Sequence, residues 1–311
     1  AYEHAREVVR RFIHAPAAQE VIFVRGTTEA INLVAKSWGG QNVGEGDEIV
    51  VSHLEHHANI VPWQQLAQAK GATLRVIPVD DQGQIRLDEY EKLLSDRTKI
   101  VAIGHVSNVL GTVVPVKEVV ARARARGITT LVDGAQSIAH TPVDVQDIGT
   151  DFFVFSGHKI FAPTGIGVLW GRPHALGELR HWQFGGEMVL DCDYQQARFR
   201  PLPLGFEAGT PAIGSVLALG AALDYLSSLD PLAVNAHEQA LHDALLAGLS
   251  QIPGLRLLGS PQLALASFTV DGVHGSDLAH LLSEQGVCVR TGHHCAMPLL
   301  KQLGLSGATR I

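Results

Sequence analysis

Residues 129–159 read TTLVDGAQSIAHTPVDVQDIGTDFFVFSGHK, and this stretch decides the fold. It contains two short apolar runs, residues 129–132 and 152–155, which we predict to be buried β-strands. Asp133 follows the first run and is 26 residues before Lys159, which follows the second. Because this distance corresponds to about one strand–helix–strand unit, we expect both side chains in one crevice at the carboxyl ends of parallel strands.

Apolar runs of the same kind occur elsewhere in the first part of the chain. We predict further strands at residues 21–24, 48–52, 74–78, 99–103 and 166–170. Helical patterns separate them, such as residues 62–70, which end at Gly71, and residues 116–126, which end at Gly127. Apolar strands that alternate with helices are typical of a mostly parallel sheet covered on both faces, so the sequence predicts an α/β fold with seven strands.

The composition changes at residues 196–211, which contain three prolines and two glycines. We predict a large domain of residues 1–205 and a smaller α+β domain of residues 206–311. The predicted helices of the smaller domain are residues 214–229, 232–252 and 276–285, and its predicted strands are residues 255–258, 266–270 and 287–290. The first residues are typical of the middle of a helix and the last of an unfinished strand, so we expect both ends to be truncated.

Charge and cysteine content narrow the function classes. The 311 residues carry a formal net charge of −7 and no basic run, which argues against nucleic acid or an anionic membrane as the main partner. No stretch reaches the roughly 18 apolar residues of a membrane span. The three cysteines form no disulfide framework and suit a reducing compartment, so we expect a cytoplasmic protein.

Lys159 is the first candidate for chemistry. A lysine at the end of a strand can form a Schiff base with an aldehyde cofactor, although an isolated Ser-Gly-His-Lys sequence is more often a solvated surface turn. Asp133 could keep a pyridine nitrogen protonated, which makes the ring an electron sink, and Gln136 could hydrogen-bond the ring hydroxyl. Alternatively, Asp133 caps a helix.

Three other segments supply groups for such a cofactor. Thr27 and Thr28, after Gly26 at the start of a predicted helix, could bind a phosphate, although threonine is also an ordinary cap. His56, just past a predicted strand, could stack on an aromatic ring or be a surface histidine. Asn108 could also reach the ring.

Residues 290–296, RTGHHCA, form the sharpest motif of the smaller domain. Cys295 in this Gly/His-rich loop suits a thiolate nucleophile. Metal binding is disfavoured, because the His and Cys residues are consecutive and no partner pair exists. Cys288 is predicted to pack in an apolar strand, and Cys192 to be an incidental loop thiol. Arg310 could pair with a substrate carboxylate.

Eight motifs occur in the order found in one known family. They are RGTTEAIN (25–32), EHHANIVPW (55–63), HVSNVLGT (105–112), VDGAQ (132–136), FSGHK (155–159), PTGIGVLW (163–170), FEAGTP (206–211) and RTGHHCAMP (290–298). The chain thus resembles the pyridoxal-phosphate-dependent cysteine desulfurases of the SufS/CsdA-like type, in the class V aminotransferase family. The resemblance covers essentially the whole sequence and implies a fold type I pyridoxal phosphate enzyme.

The resemblance also implies a role for each matching residue. Lys159 would bind the cofactor aldehyde and later move protons, and Cys295 would accept the sulfur. The implied cofactor-binding residues are Thr27, Thr28, His56, Asn108, Asp133, Gln136, Ser156, His158, Lys159 and Thr210. Thr210 would act from the neighbouring subunit of a homodimer. Substrate would be held by Asn108 and Arg310, with Arg290 at the entrance.

The implied reaction converts L-cysteine to L-alanine and leaves a persulfide on Cys295. The sulfur would pass to an acceptor, such as a SufE-like protein, for iron–sulfur cluster assembly or related use. The alternatives are a selenocysteine lyase on the same scaffold, another class V enzyme such as a transaminase or kynureninase-like enzyme, and a non-catalytic fragment for docking or dimerisation. The Cys295 motif disfavours another class V enzyme, and the complete set of cofactor residues disfavours a non-catalytic fragment.

Overall fold

The computed structural model describes residues 1–311 and is built around a seven-stranded sheet. Its strands are β1 (Val21–Val24), β2 (Glu48–Ser52), β3 (Thr73–Ile77), β4 (Thr98–Gly104), β5 (Thr129–Asp133), β6 (Phe152–Ser156) and β7 (Gly167–Gly171). Their order is β1-β7-β6-β5-β4-β2-β3, and only β7 runs antiparallel to its neighbours. The predicted α/β class with a mostly parallel seven-stranded sheet is confirmed.

Helices cover both faces of this sheet. The helices are α1 (Tyr2–Phe12), α2 (Thr27–Val34), α3 (Gly40–Asn42), α4 (Val61–Lys70), α5 (Leu87–Leu93), α6 (Val116–Arg124), α7 (Val145–Ile148), α8 (Pro173–Gly177), α9 (Ile213–Ser227), α10 (Pro231–Leu249), α11 (Gly275–Glu284) and α12 (Met297–Gln302). Alternate residues of β6 enter two separate buried clusters, Phe153 on one face and Phe152 on the other. Because the side chains of a strand alternate between faces, a strand buried on both sides must be apolar throughout.

The C-terminal part contains a second, antiparallel sheet. Its strands are β10 (Leu255–Leu257), β11 (Ser267–Val270), β12 (Arg290–Gly292) and β13 (Ala308–Arg310), in the order β10-β11-β13-β12. The pairing of β12 with β13 sets Arg290 opposite Arg310. The two sequence-distant arginines are thereby brought together.

Two sequence predictions about cysteines are wrong. Cys288 is exposed and precedes β12, because β12 is an edge strand that begins only at Arg290. Cys192 is not in a loop but ends β8 (Val189–Cys192), which pairs with β9 (Ala197–Phe199) in an exposed hairpin. The Asp193 carboxylate accepts from the backbone N–H groups of Gln195 and Gln196 and so stabilises the turn between these two strands.

Helix α9 packs directly on α1. Leu219 and Val9 are fully buried in the same cluster, and a Cβ on Gly220 would lie 3.0 Å from the Cβ of Ala5. The proposed boundary at residues 205 and 206 stays a prediction. No single helix is long and apolar enough to cross a membrane; α9 and α10 meet that requirement only as a pair that bends by 85°.

Candidate active site

The carboxyl ends of the central strands open into a cavity of about 220 Å³. Eleven of the thirteen predicted site residues line it: Thr27, Thr28, His56, Asn108, Asp133, Gln136, Ser156, His158, Lys159, Arg290 and Arg310. The other two do not. Thr210 is exposed and lines a separate cavity of about 360 Å³, and Cys295 lies in the segment between β12 and α12.

Asp133 is the last residue of β5 and is buried in the cavity wall. Its Oδ1 accepts a hydrogen bond from the backbone N–H of Ala135 at 2.9 Å. Burial raises the pKa of Asp133 to about 6, against the lowering effects of the Ala135 N–H and the Lys159 ammonium. A buried carboxylate of this kind gains stability from a cationic hydrogen-bond donor at its other oxygen.

Lys159 ends a short turn, Gly157–Lys159, that directly follows β6. Burial lowers its pKa, as do the guanidinium groups of Arg310 and Arg290, whereas Asp133 opposes the shift. A lowered pKa increases the fraction of neutral amine, and the neutral amine is the form that adds to a carbonyl group.

The first turn of α2 faces the cavity beside the end of β6. The hydroxyl of Ser156 accepts from the backbone N–H of Thr27 at 2.9 Å and lies 2.9 Å from the Thr27 hydroxyl. The N-cap residue of α2, Gly26, has no side chain that could occupy the N–H groups of this first turn. Gly26 fits because a Cβ there would lie 3.1 Å from the Ser156 hydroxyl. Free N–H groups and hydroxyls at a helix start form an anion site.

His56 precedes a one-turn helix, and its Nδ1 accepts from the backbone N–H of Ala58 at 3.0 Å. Burial lowers the pKa of His56 to about 4, helped by the nearby His57, Lys159 and Arg290. The ring is therefore neutral near pH 7, with its proton on Nε2.

Arg310 and Asn108 form the side of the cavity nearest the second sheet. Arg310 donates from Nη1 to the Asn108 carbonyl at 2.7 Å, and the Asn108 amide donates to the His294 carbonyl at 2.7 Å. Burial and the neighbouring Arg290 lower the pKa of Arg310. Two guanidinium groups in one cavity wall favour an anionic group such as a carboxylate.

The donor set of the cavity fits pyridoxal phosphate. A helix start with a glycine at the N-cap and threonine and serine hydroxyls beside it suits the phosphate, the buried Asp133 carboxylate suits a protonated pyridine nitrogen, and the amine of Lys159 suits the aldehyde. All three features belong to one cavity. The fit is supported by the chemistry of these groups and by the close approach of Gly26 to the Ser156 hydroxyl.

A comparison with protein families agrees with this site. The family described as aminotransferase class-V matches residues 1–311, the whole chain. The chain belongs to the class V aminotransferases. Within that family, a protein of Pseudomonas aeruginosa described as a probable cysteine desulfurase is 56% identical over 311 residues, which are 100% of this chain and 77% of that protein.

Two solved structures support the same placement among class V enzymes. The cysteine desulfurase CsdA from Escherichia coli superposes with a TM-score of 0.96 at 39% identity, over 99% of this chain and 77% of that chain. A mutant of C-DES with glycine covalently linked to its PLP cofactor superposes with a TM-score of 0.84 at 25% identity, over 99% and 79% of the two chains.

Two further residues of this class V chain line the cavity and were missed from the sequence. Glu55 is fully buried, and burial raises its pKa to about 7 against hydrogen bonds from Ser52, Asn59 and Gly104. His294 is also buried and lies 3.0 Å, through Nε2, from the Ala308 carbonyl. Both lie within the sequence motifs EHHANIVPW and RTGHHCAMP, next to His56 and Cys295.

Proposed function

We propose that the residues around this cavity carry out the desulfuration of L-cysteine, with Lys159, Asp133 and Cys295 as its central groups. The chain is a cysteine desulfurase that depends on pyridoxal phosphate, in agreement with its relatives and its class V fold. The single observation that carries the proposal is the cavity itself, which collects an amine, a buried carboxylate and two guanidinium groups beside the Cys295 segment.

Each side chain would hold one part of the cofactor. Thr28, Ser156 and His158 would bind the phosphate, Gln136 the ring hydroxyl and Asp133 the pyridine N–H, while the neutral His56 ring would stack on the cofactor ring. Bound pyridoxal phosphate supplies an aldehyde for the amino group of cysteine and a ring that accepts the electron pair left at Cα.

The protein groups then bind the substrate and move protons. Arg310 and the amide of Asn108 would hold the cysteine carboxylate, with Arg290 at the entrance. With cysteine held in the site, Lys159 Nζ would take the Cα proton, because its lowered pKa keeps a fraction of the amine neutral.

Cys295 would take the sulfur as a thiolate. Its Sγ attacks the substrate sulfur, so that an S–S bond forms and the C–S bond breaks. The bonding electron pair stays with the substrate carbon, which takes up a proton and leaves as part of alanine. Cys295 is thereby oxidised to a persulfide, which a thiol reductant or acceptor protein returns to the thiol.

The partners of this reaction are also part of the proposal. Thr210 would complete the phosphate site of a second copy in a homodimer; the support is that it is exposed and lies outside the cavity of its own chain. A SufE-like protein would accept the sulfur. The three free cysteines favour a reducing compartment, and we place the activity in the cytoplasm.

The test is a spectrum followed by a product assay. The purified protein with pyridoxal phosphate should show a yellow band that is absent in Lys159→Ala, and L-cysteine with a reductant should give equal amounts of sulfide and alanine. Cys295→Ala should keep the band but lose about 10²-fold or more of the sulfide rate. Cys192→Ala, in the exposed hairpin, is the matched control and should remain active.

Two outcomes would contradict the proposal. Sulfide formation by Cys295→Ala at the wild-type rate would remove Cys295 from the reaction. If the wild-type protein cleaves selenocysteine but has no activity on cysteine, it is a selenocysteine lyase instead.

A further inference from the structure

The backbone around Cys295 has an unusual conformation. His294 and Cys295 have φ angles of +50° and +56°, in the left-handed region that residues other than glycine rarely adopt. Two such residues in succession need contacts that hold them. These contacts come from residues other than the cofactor-binding groups described above.

His57, in the segment between β2 and α4, supplies two of these contacts. Its backbone N–H donates to the carbonyl of Cys295 at 2.7 Å. Its ring Nε2 accepts from the backbone N–H of Met297 at 3.1 Å. His57 therefore holds the chain both at Cys295 and two residues beyond it, at Met297.

His293 supplies the third contact. Its Nδ1 accepts from the backbone N–H of Cys295 at 3.0 Å, and its ring lies against that of His57, with centroids 5.6 Å apart and planes inclined by 31°. Because a protonated imidazole has no acceptor nitrogen, both rings must be neutral in this arrangement. His57 then carries its proton on Nδ1, and His293 on Nε2.

We propose that His57 and His293 are positioning residues that hold Cys295, through their neutral acceptor nitrogens, in the left-handed conformation from which it takes the sulfur. We call this pair the imidazole clamp. The inference rests on the proposed function, because it assumes that Cys295 is the sulfur acceptor. It adds to that function two histidines that touch neither substrate nor cofactor and act through the backbone.

The clamp depends on particular atoms, which makes it separable from simple space filling. The amide oxygen of glutamine is as many bonds from Cα as Nε2 of histidine, and that of asparagine as many as Nδ1. His57→Gln and His293→Asn therefore keep the acceptor where it is used. His57→Asn and His293→Gln use the same two residue types but place the acceptor at the other ring position.

Two measurements on the pyridoxal-phosphate-loaded protein compare these four variants with the wild type. The first is the rate at which iodoacetamide alkylates Cys295, followed by mass spectrometry with the exposed Cys192 as internal reference. The second is kcat and KM for L-cysteine. We expect His57→Gln and His293→Asn to stay within roughly threefold of wild type in both measurements.

For His57→Asn and His293→Gln we expect a different result. The kcat should fall about tenfold, which corresponds to one lost hydrogen bond, with KM and the yellow band unchanged. Alkylation of the half-buried Cys295 should become faster relative to Cys192, because the segment is released. If the Gln and Asn variants have the same kcat and the same alkylation rate at both positions, the clamp is wrong. If the variants at one histidine do not fold, the two variants at the other histidine provide the test.

The two proposals fail in different ways. If wild-type protein forms no sulfide or alanine from cysteine, the desulfurase function is wrong, but the alkylation rates still report on the clamp. If sulfide forms normally and the crossed variants do not differ, only the clamp is wrong.

Discussion

Glu55 and Asp133 are two buried carboxyl groups in one cavity wall, and their hydrogen bonding differs. Asp133 accepts one backbone N–H, whereas Glu55 accepts from Ser52 Oγ at 2.6 Å, Asn59 Nδ2 at 2.6 Å and the Gly104 N–H at 3.0 Å. Asp133 keeps an oxygen for a ligand. Both oxygens of Glu55 are already hydrogen-bonded to protein groups, and they link the segment before His56 to the end of β4.

Replacing Glu55 by glutamine should destabilise the protein. In the protonated acid the O–H on Oε1 can donate to Ser52 Oγ while Oε1 accepts from the Gly104 N–H and Oε2 from Asn59 Nδ2. The NH₂ group of glutamine at either oxygen position would instead face one of these two N–H donors, at a cost of about 1–3 kcal/mol. The effect should depend on pH. Burial raises the pKa of Glu55 from 4.5 to about 7, so its stabilising contribution is present below pH 4.5 and is lost as the pH rises through 7.

Urea unfolding of Glu55→Gln and wild type at several pH values checks this. The difference in the free energy of unfolding should be largest near pH 5 and should shrink towards pH 8. Glu284→Gln, at an exposed position, is the control and should unfold like wild type. A difference that grows with pH would show instead that folding favours the ionised form of Glu55.

Position in the chain explains which site residues could be predicted from the sequence. Lys159 and Asp133 stand where strands end, and strand ends are visible as the last residue of an apolar run. The roles of Glu55, His57 and His293 depend on contacts with segments far along the chain, such as the 2.7 Å bond from His57 to Cys295. No local pattern records such a contact.

At the scale of elements, strands buried on both faces were predictable and exposed strands were not. Inner strands such as β6 and β7 are almost entirely apolar because helices cover both sides of the sheet. The hairpin β8–β9 and the edge strand β12 have exposed residues of mixed polarity, so the sequence pattern placed Cys192 in a loop and Cys288 in a strand. The apolar signal vanishes where a strand buries no face.

Strand β7 and the start of α2 approach each other closely at two glycines. A Cβ on Gly167 would lie 2.5 Å from Gly26 Cα and 2.6 Å from the Phe155 carbonyl oxygen, which are both backbone atoms. Gly167→Ala should therefore push the turn before Thr27 away from Ser156. We expect a loss of about 1–3 kcal/mol in the free energy of unfolding and weaker binding of pyridoxal phosphate.

Thermal unfolding with and without the cofactor, together with titration of its absorbance, measures both effects. Gly40→Ala is the matched control, because Gly40 begins α3 with a helical φ and has open space around its Cβ position. It should be neutral or slightly stabilising. If Gly167→Ala loses stability but binds the cofactor as tightly as wild type, the close approach is structural only.

At the scale of the whole molecule, a buried ion pair joins the first helix to the segment that carries Thr210. Arg6 is 1% exposed and donates to both carboxylate oxygens of Glu207, at 2.6 and 3.0 Å. The same carboxylate accepts from the Phe23 N–H at 2.8 Å and from the Tyr2 hydroxyl at 3.1 Å. Residues 206–211 are therefore anchored to α1 and β1.

Removing one partner of this pair should cost more than removing both. Arg6→Met leaves a buried carboxylate without its cation, at about 3–5 kcal/mol. Glu207→Leu leaves the buried guanidinium with only the exposed Glu3 as a counter-charge, so its loss should be smaller but still clear. The double variant leaves no unpaired charge, so its loss in the free energy of unfolding should be smaller than the sum of the two single losses. Denaturant unfolding of all four proteins measures the coupling, and Asp191→Ala, which breaks the exposed pair with Arg198, should change stability by less than about 1 kcal/mol. Additive single and double losses would show that Arg6 and Glu207 contribute through packing alone, and the anchor of the Thr210 segment would then have to be sought in the hydrogen bond from Phe23.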